Sequence, residues 1–352
     1  MQHILAVTSP FFALVLLGWV AVRLGMLSLD AIPGLNAFLL FFALPCLLFR
    51  FSASTPIAQL LDAAVVTVYL GSALVLVALT VLVARRRAMG WADASFSALV
   101  AAFPNSGFMG VPLLVALLGQ AAAAPAIVAL ALDMVLTTSL CIGLSQLGHA
   151  GAGRSSDARA AVARALRGML TNPLPWAIAL GTLSSATGLL LPRPLMSAAE
   201  MLAAAASPVA LFALGCMLAR NQMTQPAPRA ARGLLGIVAC KLVLHPLVVL
   251  AAGRLAIAVG VPLDPFSAVV LVLVAALPSA SNVPMLAERF GAEAGRIARV
   301  VFFSTAGAFV TFTAVVAWVD ATGTAAAVQP QRAELPPGQT NAAPGTGRKI
   351  SL

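Results

Sequence analysis

The sequence predicts an all-α membrane protein with ten transmembrane helices, arranged as two inverted repeats of five helices. Three observations predict it: long apolar runs, alternating positive charge between connections, and an internal match between the two halves. Apolar residues make up 61% of the 352 positions and charged residues only 9%. A soluble domain has about 25% charged residues, so this chain is too apolar for a solvated surface. We expect a multi-pass protein embedded in the lipid bilayer of the cell (inner) membrane.

Ten apolar runs are each close to the roughly 20 residues that span a bilayer. They lie at about residues 4–24, 32–52, 62–84, 94–118, 123–147, 171–191, 196–219, 233–258, 266–288 and 297–319. We interpret the first run as helix 1 and not as a signal peptide, because no basic region precedes it. The segment 321–352 is rich in Ala, Pro, Gly, Gln and Thr. It cannot bury a core, so we expect a disordered tail.

Positive charge alternates between the connections. Of the 21 arginine and lysine residues, 14 follow helices 1, 3, 5, 7 and 9, whereas three follow helices 2, 4, 6 and 8. The positive-inside rule assigns the first set to the cytoplasm. Because the helix count is even, both termini are then expected on the extracytoplasmic side.

Several classes of function are disfavoured. The net charge of +10 comes from arginines between apolar runs, not from a clustered basic face, so we expect no nucleic acid partner. The four cysteines, Cys46, Cys141, Cys216 and Cys240, lie inside apolar runs without metal-ligand spacing. We therefore predict no metal site, no cofactor and no enzyme activity.

The two halves of the chain match each other. A shift of 163 residues superposes Gly18 on Gly181 and Pro45 on Pro208, and a shift of 172 superposes the later helices. The repeats are 1–150 and 151–320. Each has an odd number of helices, so the second half crosses the membrane in the opposite sense. Inverted repeats of this kind are common in secondary transporters.

Helices 4 and 9 each carry two prolines at matching, mid-membrane positions. The strings are Pro104-Asn105-Ser106-Gly107-Phe108-Met109-Gly110-Val111-Pro112 and Pro278-Ser279-Ala280-Ser281-Asn282-Val283-Pro284. Paired prolines unwind a helix, and the N-termini of the resulting half-helices favour an anion. The alternative is a pair of plain proline kinks. The candidate substrate-binding residues are Pro104, Asn105, Ser106, Gly107, Gly110, Pro278, Ser279, Ser281 and Asn282.

Two ionisable residues lie mid-membrane, Asp133 in helix 5 and Lys241 in helix 8. A charge there costs about 2.5–3.5 kcal/mol on insertion scales, so each needs a partner, a proton change or an interior position. Two interpretations stay open: a buried structural ion pair, or proton coupling through Asp133 with Lys241 as counter-charge. His245, one turn from Lys241, is interpreted as structural.

Several strings resemble the auxin efflux carrier family over about residues 4–319. They are Gly34-Leu35-Asn36-Ala37-Phe38, Ala43-Leu44-Pro45 with Leu48-Phe49, Asn105-Ser106-Gly107-Phe108-Met109-Gly110-Val111-Pro112, and the Pro278–Asn282–Ala287 segment. The resemblance implies the ten-helix fold of bile acid symporters and some sodium/proton antiporters, with broken helices 4 and 9 crossing. The short connection at 148–170 lacks the long loop of plant members, which favours a bacterial-type transporter of malonate- or malate-like carboxylates.

The resemblance also implies a division of labour and a homodimer. Residues 1–56 with 168–220 would form a scaffold, and 57–150 with 233–320 a transport domain moving in an elevator-like, alternating-access cycle. Coupling to protons or to sodium stays open. The alternatives are a sodium/proton or bile-acid-type symporter or antiporter, and a membrane sensor that binds ligand without transport. An intramembrane protease is disfavoured, because Asp133 is the single central acid.

Overall fold

The computed structural model describes residues 2–148, 173–189, 191–224 and 231–321, which are helical with no strand beyond one isolated β-bridge. The helices are α1 (Gln2–Arg23), α2 (Ala31–Ala53), α3 (Ala63–Arg86), α4a (Trp91–Ala102), α4b (Ser106–Leu118), α5 (Gln120–Ser145), α6 (Pro173–Thr187), α7 (Arg193–Thr224), α8 (Gly233–Ala258), α9a (Pro265–Ala276), α9b (Val283–Arg289) and α10 (Ala294–Ala321). Their order follows the predicted apolar runs. The predicted tail disorder and the arginines of the 149–172 connection lie outside the described residues.

Six of the described helices are long and apolar enough to cross a membrane. They are α2, α3 with the short turn before it, α5, α7, α8 and α10. Three shorter apolar helices, Ser9–Arg23, Ser106–Leu118 and Pro265–Ala276, do not reach that length. The last two belong to the runs that paired prolines interrupt. The chain is therefore an all-α membrane protein, and the count of ten spans stays a prediction.

Two helices begin where a carboxylate caps exposed backbone N–H groups. The side chain of Asp62 accepts hydrogen bonds from the backbone of Ala64 and Val65 at 2.8 and 3.2 Å, at the start of α3. Asp264 accepts one from Ser267 N at 2.9 Å, at the start of α9a. Such caps satisfy donors that the first turn leaves free. These local signals fix where the break-bearing helix α9a starts.

Glycines bring α1 against α7 and α6 against α2. Gly18 in α1 faces the backbone of Phe212 in α7 so closely that no side chain fits between them. Gly181 in α6 faces Phe49 in α2, where an added Cβ would lie 2.6 Å from the carbonyl oxygen. Small residues allow such close helix packing in membranes. Both the glycines and the phenylalanines are 163 positions apart, so one contact repeats the other.

Four of the described helices contain a widened π-turn. The turns are Leu39–Ala43 in α2, Ser106–Gly110 in α4b, Asp133–Thr137 in α5 and Cys240–Leu244 in α8. Three of them precede a proline, Pro45, Pro112 or Pro246, whose ring clashes with the preceding turn of a regular helix. The turn at Asp133 has no such proline. There the Thr138 hydroxyl donates to the Asp133 carbonyl oxygen at 2.7 Å.

Candidate functional site

The two interrupted helices meet at their breaks. We call residues 103–105 the first break and residues 277–282 the second break. The Asn105 N–H donates to the Pro278 carbonyl at 2.8 Å, and the Ala280 N–H donates to the Phe103 carbonyl at 2.9 Å. These bonds form an antiparallel bridge centred on Pro104 and Ser279. Each break thus satisfies backbone groups of the other, as non-helical chain at membrane depth requires.

The first break is tied mainly to its own chain. The Asn105 carbonyl accepts from Met109 N at 3.1 Å and Gly110 N at 3.0 Å, which closes the π-turn that opens α4b. Ser106 N donates to the Pro104 carbonyl at 2.8 Å. The Asn105 side chain is 1% exposed, and its amide nitrogen has no hydrogen-bond partner among the described residues. The break therefore presents a buried, unused donor.

The second break is held from outside by α10. The Ser304 hydroxyl accepts from Ser279 N at 3.1 Å and donates to the Val301 carbonyl at 3.0 Å. The Ser279 hydroxyl is wholly buried and lacks a partner within the described chain. Asn282 is half-buried and precedes α9b, where its carbonyl accepts from Leu286 N at 3.3 Å. Ser281 is 5% exposed.

The two candidate glycines differ in how closely they approach the second break. A Cβ at Gly110 would lie 2.5 Å from Cδ1 of Leu277, the first residue of the second break. A Cβ at Gly107 would meet only Leu130, at an ordinary 3.6 Å. Gly110 therefore lets α4b pack against the second break, whereas Gly107 is sterically replaceable. Both glycines are buried.

The breaks thus place two orphan polar groups, the Asn105 amide and the Ser279 hydroxyl, on residues next to the same backbone bridge. Buried polar atoms in proteins nearly always have a hydrogen-bond partner, and leaving such an atom without one costs about 1–3 kcal/mol. Both groups donate hydrogen bonds, and neither carries a charge. Such a pair is suited to the oxygen atoms of a polar ligand.

Asp133 and Lys241, the two mid-membrane ionisable residues, do not touch each other. The Asp133 carboxylate accepts from the Tyr69 hydroxyl at 2.6 Å and from the Thr137 hydroxyl at 3.0 Å. Lys241 Nζ donates to the Ala275 carbonyl at 3.1 Å and lies 2.9 Å from His245 Nδ1. Both charged side chains are wholly buried, and within the described residues no ion pair joins them. The interpretation as a direct ion pair is wrong, because each charge already has other partners.

Three residues that hydrogen-bond to the site were not predicted from the sequence: Tyr69, Thr137 and Ser304. One signal was available for the first, since the shift of 172 that aligns the later helices superposes Tyr69 on Lys241. Tyr69 is also the chain's single tyrosine. A serine in an apolar helix carries no comparable signal, because most such hydroxyls bond their own helix, as Ser72 does to Val68 at 2.7 Å.

Comparisons with known proteins find relatives among membrane transport proteins. A family model described as "Membrane transport protein" matches residues 3–316. A protein of Rhizobium meliloti (strain 1021) named "Putative malonate transporter" is 30% identical over 316 residues, covering 89% of this chain and 95% of that protein. A protein of Escherichia coli (strain K12) named "Uncharacterized transporter YfdV" is 28% identical over 294 residues, covering 80% and 86%. These matches confirm the resemblance on which the prediction of family rested.

Proposed function

Since the chain belongs to the membrane transport protein family, we propose that it is a secondary transporter of a small organic anion that binds at the paired breaks. The observation that carries the site is the pair of orphan buried groups, the Asn105 amide nitrogen and the Ser279 hydroxyl. A carboxylate offers oxygen acceptors to both. The N-terminal end of α4b adds a partial positive charge beside them. Asn282, at the half-buried side of the second break, is a third donor in this proposal.

A dicarboxylate is the first substrate to test. The name of the Rhizobium relative gives malonate, and that relative aligns with 89% of this chain. The breaks themselves contain no arginine or lysine. We infer that neutral donors and the α4b terminus recognise one carboxylate.

The proposed mechanism is alternating access in a fold of two inverted five-helix repeats. Two pairs of symmetric contacts support the repeat. The first pair is the Gly18–Phe212 and Gly181–Phe49 approaches, and the second pair is the two reciprocal backbone bonds of the bridge. In this proposal residues 1–56 and 168–220 form the scaffold. Residues 57–150 and 233–320 move against it as the transport domain. A homodimer in the inner membrane, with extracytoplasmic termini, completes the proposal.

Proton coupling through Asp133 is part of the proposal. A carboxylate that is wholly buried and bonded by two hydroxyls is held in place to gain and lose a proton. Within helix α5 it has no acidic neighbour of the kind a paired-acid sodium/proton site would use. We therefore expect an imposed proton gradient to stimulate uptake by the parent and not by Asp133→Asn.

The decisive experiment is uptake of radiolabelled malonate, malate and an aromatic carboxylate into liposomes that contain the purified protein. The comparison variant is Asn105→Ala/Ser279→Ala, which removes both orphan groups. The matched control is Ser72→Ala, a buried hydroxyl bonded within its own helix. Saturable uptake that the double variant abolishes and Ser72→Ala retains supports the proposal. Equal uptake by parent and double variant moves the site elsewhere, and ligand binding without uptake favours a sensor.

A further inference from the structure

A wholly buried polar cluster joins three helices behind the breaks. Its members are Tyr69 from α3, Asp133 and Thr137 from α5, and Lys241 and His245 from α8, with at most 2% of any of them exposed. The Tyr69 and His245 rings lie 6.4 Å apart, which connects the acidic part of the cluster to the basic part. Burying so many polar groups is costly unless they serve each other or a function.

The charge of Lys241 decides the roles within the basic part. With Lys241 as an ammonium, which only donates, a neutral His245 accepts from it at Nδ1 and carries its own proton on Nε2. That Nε2 atom is buried without a partner among the described residues. The second Lys241 bond goes to the Ala275 carbonyl, in the last turn of α9a. A cation at the C-terminal end of a helix is stabilised by the helix dipole.

Two attractions act on the Lys241 ammonium. One comes from Asp133, which is linked to Lys241 through the Tyr69 hydroxyl and the neighbouring Tyr69 and His245 rings. The other comes from the end of α9a, two residues before the second break begins. The further ionisable groups nearby are the thiols of Cys141 and Cys240. Of the other packed helices, α9a has no charged side chain, α4a has Asp93 in its first turn, and α10 has Arg296 and Arg299 in its first two turns and Asp320 at its end.

We propose that Lys241 is a positioning residue that transmits the charge of Asp133 to the second break. This inference rests on the proposed transport function. A proton from solution forms an O–H bond at the Asp133 carboxylate and removes its negative charge. Lys241 then retains only the α9a end and His245 as partners, so the ammonium binds the Ala275 carbonyl more tightly. Proton binding thereby favours one of two arrangements of the second break.

The test separates movement of malonate from its response to protons. Reconstituted protein is assayed for exchange of internal for external radiolabelled malonate, and for uptake driven by an imposed proton gradient. Lys241→Met removes the cation, and Arg254→Met removes an exposed cation from the same helix as the matched control. Lys241→Gln removes the charge but keeps a hydrogen-bond donor, and it serves if Lys241→Met does not fold. Ala280→Cys, in a variant whose four native cysteines are replaced by alanine, reports the accessibility of the second break by its rate of labelling with a maleimide.

We expect Lys241→Met to retain exchange while losing the stimulation by a proton gradient, an effect of about tenfold. The labelling rate at position 280 changes between mildly acidic and mildly alkaline pH in the parent and in Arg254→Met, and not in Lys241→Met. A structural role alone would lower exchange and driven uptake equally, and would leave the pH response of labelling intact. That result overturns the inference. If the parent exchanges malonate without any proton or pH effect, the inference about Lys241 is overturned while the proposed malonate transport stands. If the parent exchanges no malonate and its labelling is independent of pH, both the inference and the proposed transport are overturned.

Discussion

The first and second breaks occupy equivalent places in the two halves of the molecule but are held by different means. The first is short, and its Pro104 and Asn105 carbonyl groups bond to the π-turn that follows it. The second is longer and accepts a bond from Ser304 in α10, while Lys241 in α8 bonds to Ala275, in the last turn of the helix before it. At the position equivalent to Lys241, the first half has Tyr69, which bonds to Asp133. The first break is thus fixed locally, whereas the second can respond to distant side chains.

The largest expected effect on stability lies in the second half. Lys241→Met removes a buried cation with its hydrogen bonds to His245 and the Ala275 carbonyl, and at about 1.5–3 kcal/mol for each bond to a charged group it should lower the free energy of unfolding by about 3–5 kcal/mol. Tyr69→Phe, the equivalent change in the first half, removes one hydrogen bond to a charged group and should cost about 1.5–3 kcal/mol. Thermal unfolding of both variants in detergent checks the order. An equal loss would mean that the halves are not held differently.

A second comparison concerns ligand binding at the two breaks. Asn105 is wholly buried with an unused amide, whereas Asn282 is half-buried. Asn105→Ala should reduce malonate uptake efficiency about 10- to 100-fold, the value of a hydrogen bond to a charged group. Asn282→Ala should have a smaller effect. Concentration-dependent uptake measures both, and a larger loss in Asn282→Ala would place the recognition of the anion at the second break.

The crossing itself is tested by its glycines. Gly110→Ala forces its Cβ against Leu277 in the second break and should destabilise the protein by about 1–3 kcal/mol through overpacking. Gly107→Ala meets only an ordinary contact with Leu130, so its melting temperature should stay close to that of the parent. Identical melting of the two variants would indicate that Leu277 moves aside freely.

The smallest expected effect comes from the anchor on α10. Ser304→Ala leaves the Ser279 N–H without its partner and should cost about 1 kcal/mol. Thr313→Val is the control, because its hydroxyl bonds only to a carbonyl of its own helix at 2.6 Å. Melting curves compare them. A change in Thr313→Val as large as that in Ser304→Ala would show that the anchor contributes nothing specific to the second break.

Sequence alone predicts a great deal of this molecule, because proline and hydrophobicity act locally. The apolar runs locate the helices, and the proline pairs 104/112 and 278/284 locate the breaks, whereas the single prolines Pro10 and Pro208 are accommodated inside α1 and α7. The bridge between the breaks could be anticipated only through the family resemblance. Nothing at Phe103 or Ala280 in the sequence records that one bonds to the other.

The partners of the buried charges were beyond reach for a different reason. Asp133 and Lys241 attract attention because charge is rare in an apolar helix. Which groups they contact depends on the rotation of three helices about their axes, and each of those helices except α3 contains a π-turn that alters this rotation. A periodic pattern along the chain does not reveal such a turn, so the sequence could not decide whether the two charges pair directly.

The bridge between the breaks has an evolutionary consequence, because it consists of main-chain atoms only. Its two donors are the N–H groups of Asn105 and Ala280, which every residue type except proline provides. Side chains at these positions can therefore be exchanged without dismantling the joint between the halves. Related carriers can therefore change substrate by single substitutions around an unchanged main-chain bridge. A library randomised at the positions that flank the bridge would test this.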